Sequence, residues 1–376
     1  MNAKYAIIVA LIMIAAVLGG CSGITGKAAE NSEIKIGVLS PLTGEAAVSY
    51  GQNVIAGATL AAKEINERGG INGKKVKLIV EDDQCSSKGA NAVQKLINYD
   101  DVLAILGPVC SASGGPALPI AQENKIPVVI IASAPNLAKI GDYIFRVYPS
   151  DALQGKAGTE FIYKELGKRN VALIYVKNDY GEGLKDVFET RFKALGGNIV
   201  YVSGVLQTDT DFKTEIMKIK DSGTDVIYLA VYPTNAVQFI KQAKETNLNI
   251  LIVGAETVSA GEVVDSGYAD GVICSVLKVG LNSSFDDKLH QLNGFENLNI
   301  MPAFAPVSYD GAMALFSAIE KAGTDRAAIR DALQNTSFQG VSNYIEFDED
   351  GDLKSSEYVF KVIKDKGFVD YSKEAK

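Results

Sequence analysis

Three stretches hold residue types that could do chemistry. GPVCSASGG, residues 107–115, sets Cys110 beside Ser111 in a glycine-rich turn between an apolar run and a helical pattern. VGAET, residues 253–257, puts Glu256 just past another apolar run. EFDEDGDLKSSE, residues 346–357, spaces its acids much as a calcium loop does. A serine or cysteine nucleophile needs a base within reach. The one histidine, His290, lies in FDDKLHQLNG, a polar helical stretch that reads as surface. The 107–115 turn lacks the GKS/T ending of a phosphate loop and the GxGxxG of a dinucleotide site. What remains is an anion site. Ser111 can cap the helix that follows, and the first N–H groups of a helix favour negative charge. A carboxylate suits it as well as a phosphate.

A lone loop glutamate is by default a solvated acid. In a cleft it instead calls for a cation. Tyr232, after DVIYLAV, and Tyr180, in KNDYGEGLK, offer hydroxyls and ring faces near the same strand ends. Together these residues put anion donors on one side and a carboxylate on the other, which matches a zwitterion such as an amino acid. The calcium-loop pattern is discounted. It starts with Glu346 where an aspartate belongs, and its flanks alternate as strands do. NYIEF and EYVFKVI, joined by DEDGD, read as a β-hairpin. No metal and no cofactor is expected.

The elements that must position these residues alternate. From residue 34, IKIGVLS, KVKLIVEDD, VLAILG, PVVIIA and YIFRVY read as strands, with helical periodicity between most of them, including one helix near 114–124. Around Tyr148 the pattern restarts with NVALIYV, NIVYVSGV, DVIYLAVY, NILIVG and GVICSVL. Helices are expected from about Pro306 to Ala322 and from Arg326 to Asn335. Strands alternating with helices imply parallel sheets, and two such runs imply two lobes with a cleft between them. Ligands bind beyond the carboxyl ends of such strands.

The chain has 376 residues, 47% of them apolar, and a formal net charge of −8. That is enough for two packed domains, and it carries no basic footprint for nucleic acid. Lys4 and the apolar run up to Gly20 read as an export signal, too short for a spanning helix. The run ends in Leu18-Gly19-Gly20-Cys21, which resembles a lipobox, so Cys21 is expected to be lipidated after cleavage. Residues 21–33 are small and polar and read as a tether. Export allows disulfides among the other cysteines. Cys85 and Cys110 stand at consecutive strand ends, while Cys274 in GVICSVL reads as a buried small hydrophobe.

With these residues in view, the chain resembles the type I periplasmic binding proteins for leucine, isoleucine and valine, the substrate-binding components of ABC importers. The likeness runs from residue 34 to about 365. It rests on SPLTGEAAVSYGQNVIAGATLAAKEINERGGINGKKVKL, EDDQC, GPVCSAS, YGEGL, LAVYPTN, GAE and DEDGDLK, in that order. The resemblance implies that Ser111 binds a ligand carboxylate, that Ser133 touches the ligand, and that Glu256 takes its ammonium beside Tyr232. It makes Tyr180 a cleft tyrosine. Tyr50, Phe304 and Val109 become lining of the side-chain pocket. Cys85 and Cys110 match the family's disulfide, which would contribute about 3 kcal/mol. Thr257 departs from a family glycine and Val109 from a leucine. The segment from Ser111 to Pro135 is one residue shorter than in the leucine-type members, which leaves Ala132 as an alternative to Ser133.

The expected fold is α/β, two doubly wound parallel-sheet lobes joined by three hinge crossings. Lobe 1 is assigned to 34–150 and 281–340, and lobe 2 to 151–280 and 341–376. The expected protein is a non-enzymatic, monomeric, extracytoplasmic binder of an amino acid, held to the membrane by its lipid and serving an ABC importer permease. A binder of amides, urea or small carboxylates on the same fold is the alternative, followed by a sensor ectodomain.

Overall fold

The computed structural model describes residues 33–44, 46, 50–280, 283–299 and 303–372. The expected signal, Cys21 and all of the tether except Glu33 lie outside these residues.

The first sheet consists of β1 (Ile34–Ser40), β2 (Val76–Asp82), β3 (Ala104–Leu106), β4 (Val128–Ile130) and β5 (Ile144–Arg146), in the order β2-β1-β3-β4-β5. All its pairings are parallel. β3, β4 and β5 are buried at every residue, as continuous apolar runs are when helices cover both faces of a sheet. Of the helices joining the strands, α1 (Gln52–Glu67) packs on one face, and α2 (Gly89–Asn98) and α3 (Ser111–Glu123) on the other.

The second sheet is built from β6 (Asn170–Val176), β7 (Asn198–Val205), β8 (Val226–Ala230), β9 (Leu251–Gly254) and β10 (Ile273–Leu277), again parallel. Between them run α5 (Asp179–Ala194), α6 (Lys213–Asp221), α7 (Pro233–Glu245) and the short α8 (Gly261–Val264); α4 (Asp151–Glu160) leads in from the first sheet. After β10 the chain returns to the first lobe as α9 (Ser283–His290), α10 (Phe304–Ala322) and α11 (Arg326–Gln334). Gly57 of α1 lets α10 approach closely, since a Cβ there would lie 2.2 Å from the Ala305 carbonyl oxygen. In the same contact the Ser308 hydroxyl donates to the Val54 carbonyl at 2.6 Å.

The C-terminal strands differ from the expected hairpin. β12 (Tyr344–Glu346) pairs with β11 (Ser337–Gln339), while β13 (Tyr358–Lys364) pairs antiparallel with β10 and with β14 (Gly367–Asp370). NYIEF and EYVFKVI therefore belong to different sheets. The DEDGD turn is local, closed by Asp348 N–H donating to the Asp352 carbonyl at 2.8 Å. The Asp348 carboxylate accepts from the amides of Asp350 and Asp352, and Asp352 pairs with the buried Arg146 guanidinium at 2.5 Å. These acids serve the turn and its anchor.

That anchor also fixes the residues around it. Residues 344–353, expected in lobe 2, pack on the first sheet: Ile345 is fully buried, Phe347 meets Phe145 at 5.3 Å, and Arg146 N–H donates to Gly351 at 2.8 Å. Arg146 and Phe145 thus hold this segment to the first sheet. Just before this segment, Asp310 of α10 accepts from the amides of Val341 at 2.8 Å and Ser342 at 2.7 Å.

Candidate functional site

In the first sheet β1 lies between β2 and β3, and in the second β6 lies between β7 and β8. Such reversals of strand order open a crevice at the carboxyl ends of the strands. The structure gathers all eight candidate residues around one cavity there: Tyr50, Val109, Ser111, Ser133, Tyr180, Tyr232, Glu256 and Phe304. The empty space is about 330 Å³, its mouth included.

From the first lobe, the turn after β3 delivers Val109 and Ser111. Gly107 allows this turn: its φ is +96°, and a Cβ would sit 2.2 Å from the Leu39 carbonyl oxygen. The helix begins at Ser111, three residues earlier than expected, and Cys110 occupies the cap position with no side-chain cap bond. Ser111 is thus not the cap. Its hydroxyl accepts instead from the buried Ala134 N–H at 3.1 Å. The first helical bonds run from the amides of Ser113 and Gly114 to the Cys110 carbonyl, so the amides of Ser111 and Ala112 precede them. Cys85 and Cys110 are disulfide-bonded, with Cα atoms 5.2 Å apart, tying this turn to the end of β2. Beyond β4, Ser133 donates to Asp151 at 3.1 Å, while the neighbouring Ala132 carbonyl accepts from Arg146 at 3.3 Å. Tyr50 and Phe304 meet at 4.9 Å between ring centroids, and Tyr148 stacks on Phe304 at 5.5 Å.

From the second lobe, β6, β8 and β9 lead to Tyr180, Tyr232 and Glu256. Asn178 caps α5 by accepting from the amides of Tyr180 and Gly181, which fixes the tyrosine at the cleft. Tyr180 stacks on Tyr232 at 5.5 Å, and its hydroxyl meets Thr257 Oγ1 at 3.1 Å. Glu256 is 7% exposed. Burial pushes its carboxyl up to about 7, opposed by the hydrogen bond that Gln154 donates to it.

Sequence reasoning missed the support behind Glu256. Gln154 also donates to the Ser275 hydroxyl at 3.2 Å. Asp151, at the first position of α4, is fully buried. Burial and then Glu256 raise its carboxyl well above the usual range, with the Arg146 cation opposing them. The available signal was the Ser-Asp pair at the lobe crossing, with Gln154 one turn further on. Tyr148 and Ile131 also line the cavity. Cys274 is buried, as expected, and takes no part.

A sequence profile of periplasmic binding proteins matches residues 33–367. The chain belongs to the periplasmic binding protein family. Among its relatives is a leucine-, isoleucine-, valine-, threonine- and alanine-binding protein of Pseudomonas aeruginosa, 29% identical across 88% of this chain and 90% of that one. Another is an amino acid binding protein of the same organism, 31% identical across 89% and 91%. A leucine-binding protein of Thermotoga maritima superposes with a TM-score of 0.80 at 29% identity, covering 90% of this chain and 98% of that one. A benzoate complex of a solute-binding protein from R. palustris reaches a TM-score of 0.79, covering 90% of this chain and 95% of that one, but at 20% identity it speaks for the fold alone. These relatives are binding proteins, and this periplasmic binding protein has the type I fold of two α/β lobes.

Proposed function

We propose that this chain is the extracytoplasmic substrate-binding component of an ABC importer and that it takes an amino acid with a branched or otherwise apolar side chain. One observation carries the reading. A cavity lined from both sheets sets the start of α3, with Ser111, across from Glu256, a buried carboxylate that accepts from the neutral Gln154 amide and forms no salt bridge among the described residues. The α-carboxylate of the ligand would meet Ser111 and the first amides of α3, and its ammonium would meet Glu256 beside Tyr232. Tyr50, Phe304 and Val109 would hold the side chain, with Ser133 and Tyr180 completing the walls. The names of the Pseudomonas and Thermotoga relatives support this ligand class. A ligand bearing only a carboxylate would leave Glu256 unanswered.

Lobe 1 would comprise residues 34–150 and 281–353, and lobe 2 residues 151–280 and 354–372. Closure would exclude water and strengthen the ion pair at Glu256. The protein acts as a monomer, delivers its ligand to the permease, and is held at the membrane by acyl chains on Cys21, whose mass in the membrane fraction would show them.

A thermal-shift screen of the amino acids, with benzoate, urea and acetamide alongside, tests the ligand class. An amino acid at a hundred times its Kd should stabilise the protein by about 2.7 kcal/mol. Stabilisation by benzoate, urea or acetamide alone would sink the reading.

A further inference from the structure

A second, larger cavity adjoins the candidate site. It holds about 1260 Å³, its mouth included, and shares Tyr148, Glu256 and Phe304 with the first. These three residues form the partition, and Glu256, the acceptor for the ligand nitrogen, faces both spaces. Val276 of β10 and Val359 of β13 are direct cross-strand partners, are both only partly buried, and both line the second cavity. Leu277 extends this apolar wall. The two lining lysines are each paired, Lys278 with Glu357 at 2.9 Å and Lys361 with Asp370 at 3.6 Å, so neither is set to draw a second carboxylate. Asp265, which is exposed, also lines the space and is an acceptor for an amine.

The geometry points to a second subsite that receives a substituent on the ligand nitrogen, so that the protein also binds N-substituted α-amino acids, either dipeptides or N-alkyl amino acids. The inference rests on the amino-acid reading of the first cavity. The α-carboxylate and side chain would sit there as for a free amino acid. The nitrogen, still bearing hydrogen, would lie at Glu256, and its substituent would pass the partition onto the Val276–Val359 surface. In a dipeptide the terminal ammonium would be within the space lined by Asp265. A free amino acid would fill the first cavity only.

The test is calorimetry on the full chain with leucine, alanyl-leucine and N-ethyl-leucine, in wild type and in two separate variants, Val276→Phe and Val359→Phe, each checked for a cooperative melt. The substitutions fill the second cavity from opposite strands, so one suffices if the other fails to fold. At least one derivative should bind within about tenfold of leucine and lose tenfold or more in the filled variants, while leucine changes less than threefold. Alanyl-leucine alone surviving in wild type would assign the subsite to peptides, and N-ethyl-leucine alone to secondary amines. Leucine binding with neither derivative overturns the subsite, as does derivative binding that the phenylalanines leave unchanged. If leucine fails, the amino acid that stabilises the protein in the thermal-shift screen and its N-alanyl and N-ethyl derivatives take its place, and if no amino acid binds, the amino-acid reading falls and the subsite with it.

Discussion

Gln154 donates one amide to both the Glu256 carboxylate and the Ser275 hydroxyl, at the back of the cleft. Gln154 and Glu256 come from α4 and from the end of β9, so a helix that begins at the first crossing steadies the acid of the second lobe. The acid is therefore held in place before any ligand arrives, at the cost of desolvation.

That cost gives a two-sided expectation for Glu256→Gln. Amino-acid affinity should fall by about 2–5 kcal/mol, because the variant leaves a buried ammonium unmatched. The unliganded variant should melt higher than wild type at pH 8, since no charge is buried there. Calorimetry and melting curves on one preparation check both. Unchanged affinity would remove Glu256 from the site.

Affinity should depend on pH through the same group. The free carboxyl is raised from 4.5 to about 7 by burial, and an ammonium ligand requires the carboxylate. Below that value binding expels a proton, so affinity should drop by up to about tenfold per unit as the pH falls, and level off above it. The folded chain holds more protons here than the unfolded chain between 4.5 and about 7, so this group lowers stability as pH rises through that window. Gln154→Leu removes a hydrogen bond that favours the carboxylate, and should move the affinity midpoint upward. A pH-independent Kd from 5 to 8 would contradict the assignment.

Ser111→Ala should weaken binding and also cost about 1–3 kcal/mol of stability, because the buried Ala134 N–H loses its acceptor. Ser111→Thr keeps the hydroxyl and should restore most of the stability. Urea titration separates the two effects from affinity.

Replacing Cys85 and Cys110 together by serine should lower stability by about 3 kcal/mol, since the bridge closes a separation of 25 residues. Affinity should fall too, because Cys110 sits at the start of the helix that carries Ser111. A variant with full affinity would show that the turn is positioned without the bridge.

Much of this was legible beforehand for physical reasons. Continuous apolar runs such as VIYLA are typical of strands covered by helices on both faces of a parallel sheet, so their alternation with helices indicated the fold. Residues just past such strands were worth singling out because parallel sheets bind there, which is how Glu256 and Tyr232 came into view. Two features were not legible. The partner of β13 is β10, some eighty residues upstream, and no local pattern records a pairing at that distance. The anchor on residues 344–353 is Arg146, a cation inside a short apolar strand, whose interest appears only once Asp352 is beside it. Asp151 was hidden likewise, as a helix-start acid of an ordinary kind until its burial is known.

The close contact of α1 with α10 bears on the order in which the chain can fold as it is made. All five strands of the first sheet are complete once residue 146 has emerged, yet α1 waits for residues 304–322 to cover it. The second sheet waits longer still, for β13 at residues 358–364. Neither half can finish before nearly the entire polypeptide is available, and such distant pairings are slow to form. A nascent chain of this design stays incomplete throughout its synthesis, which would suit the proposed passage across a membrane before the polypeptide becomes compact.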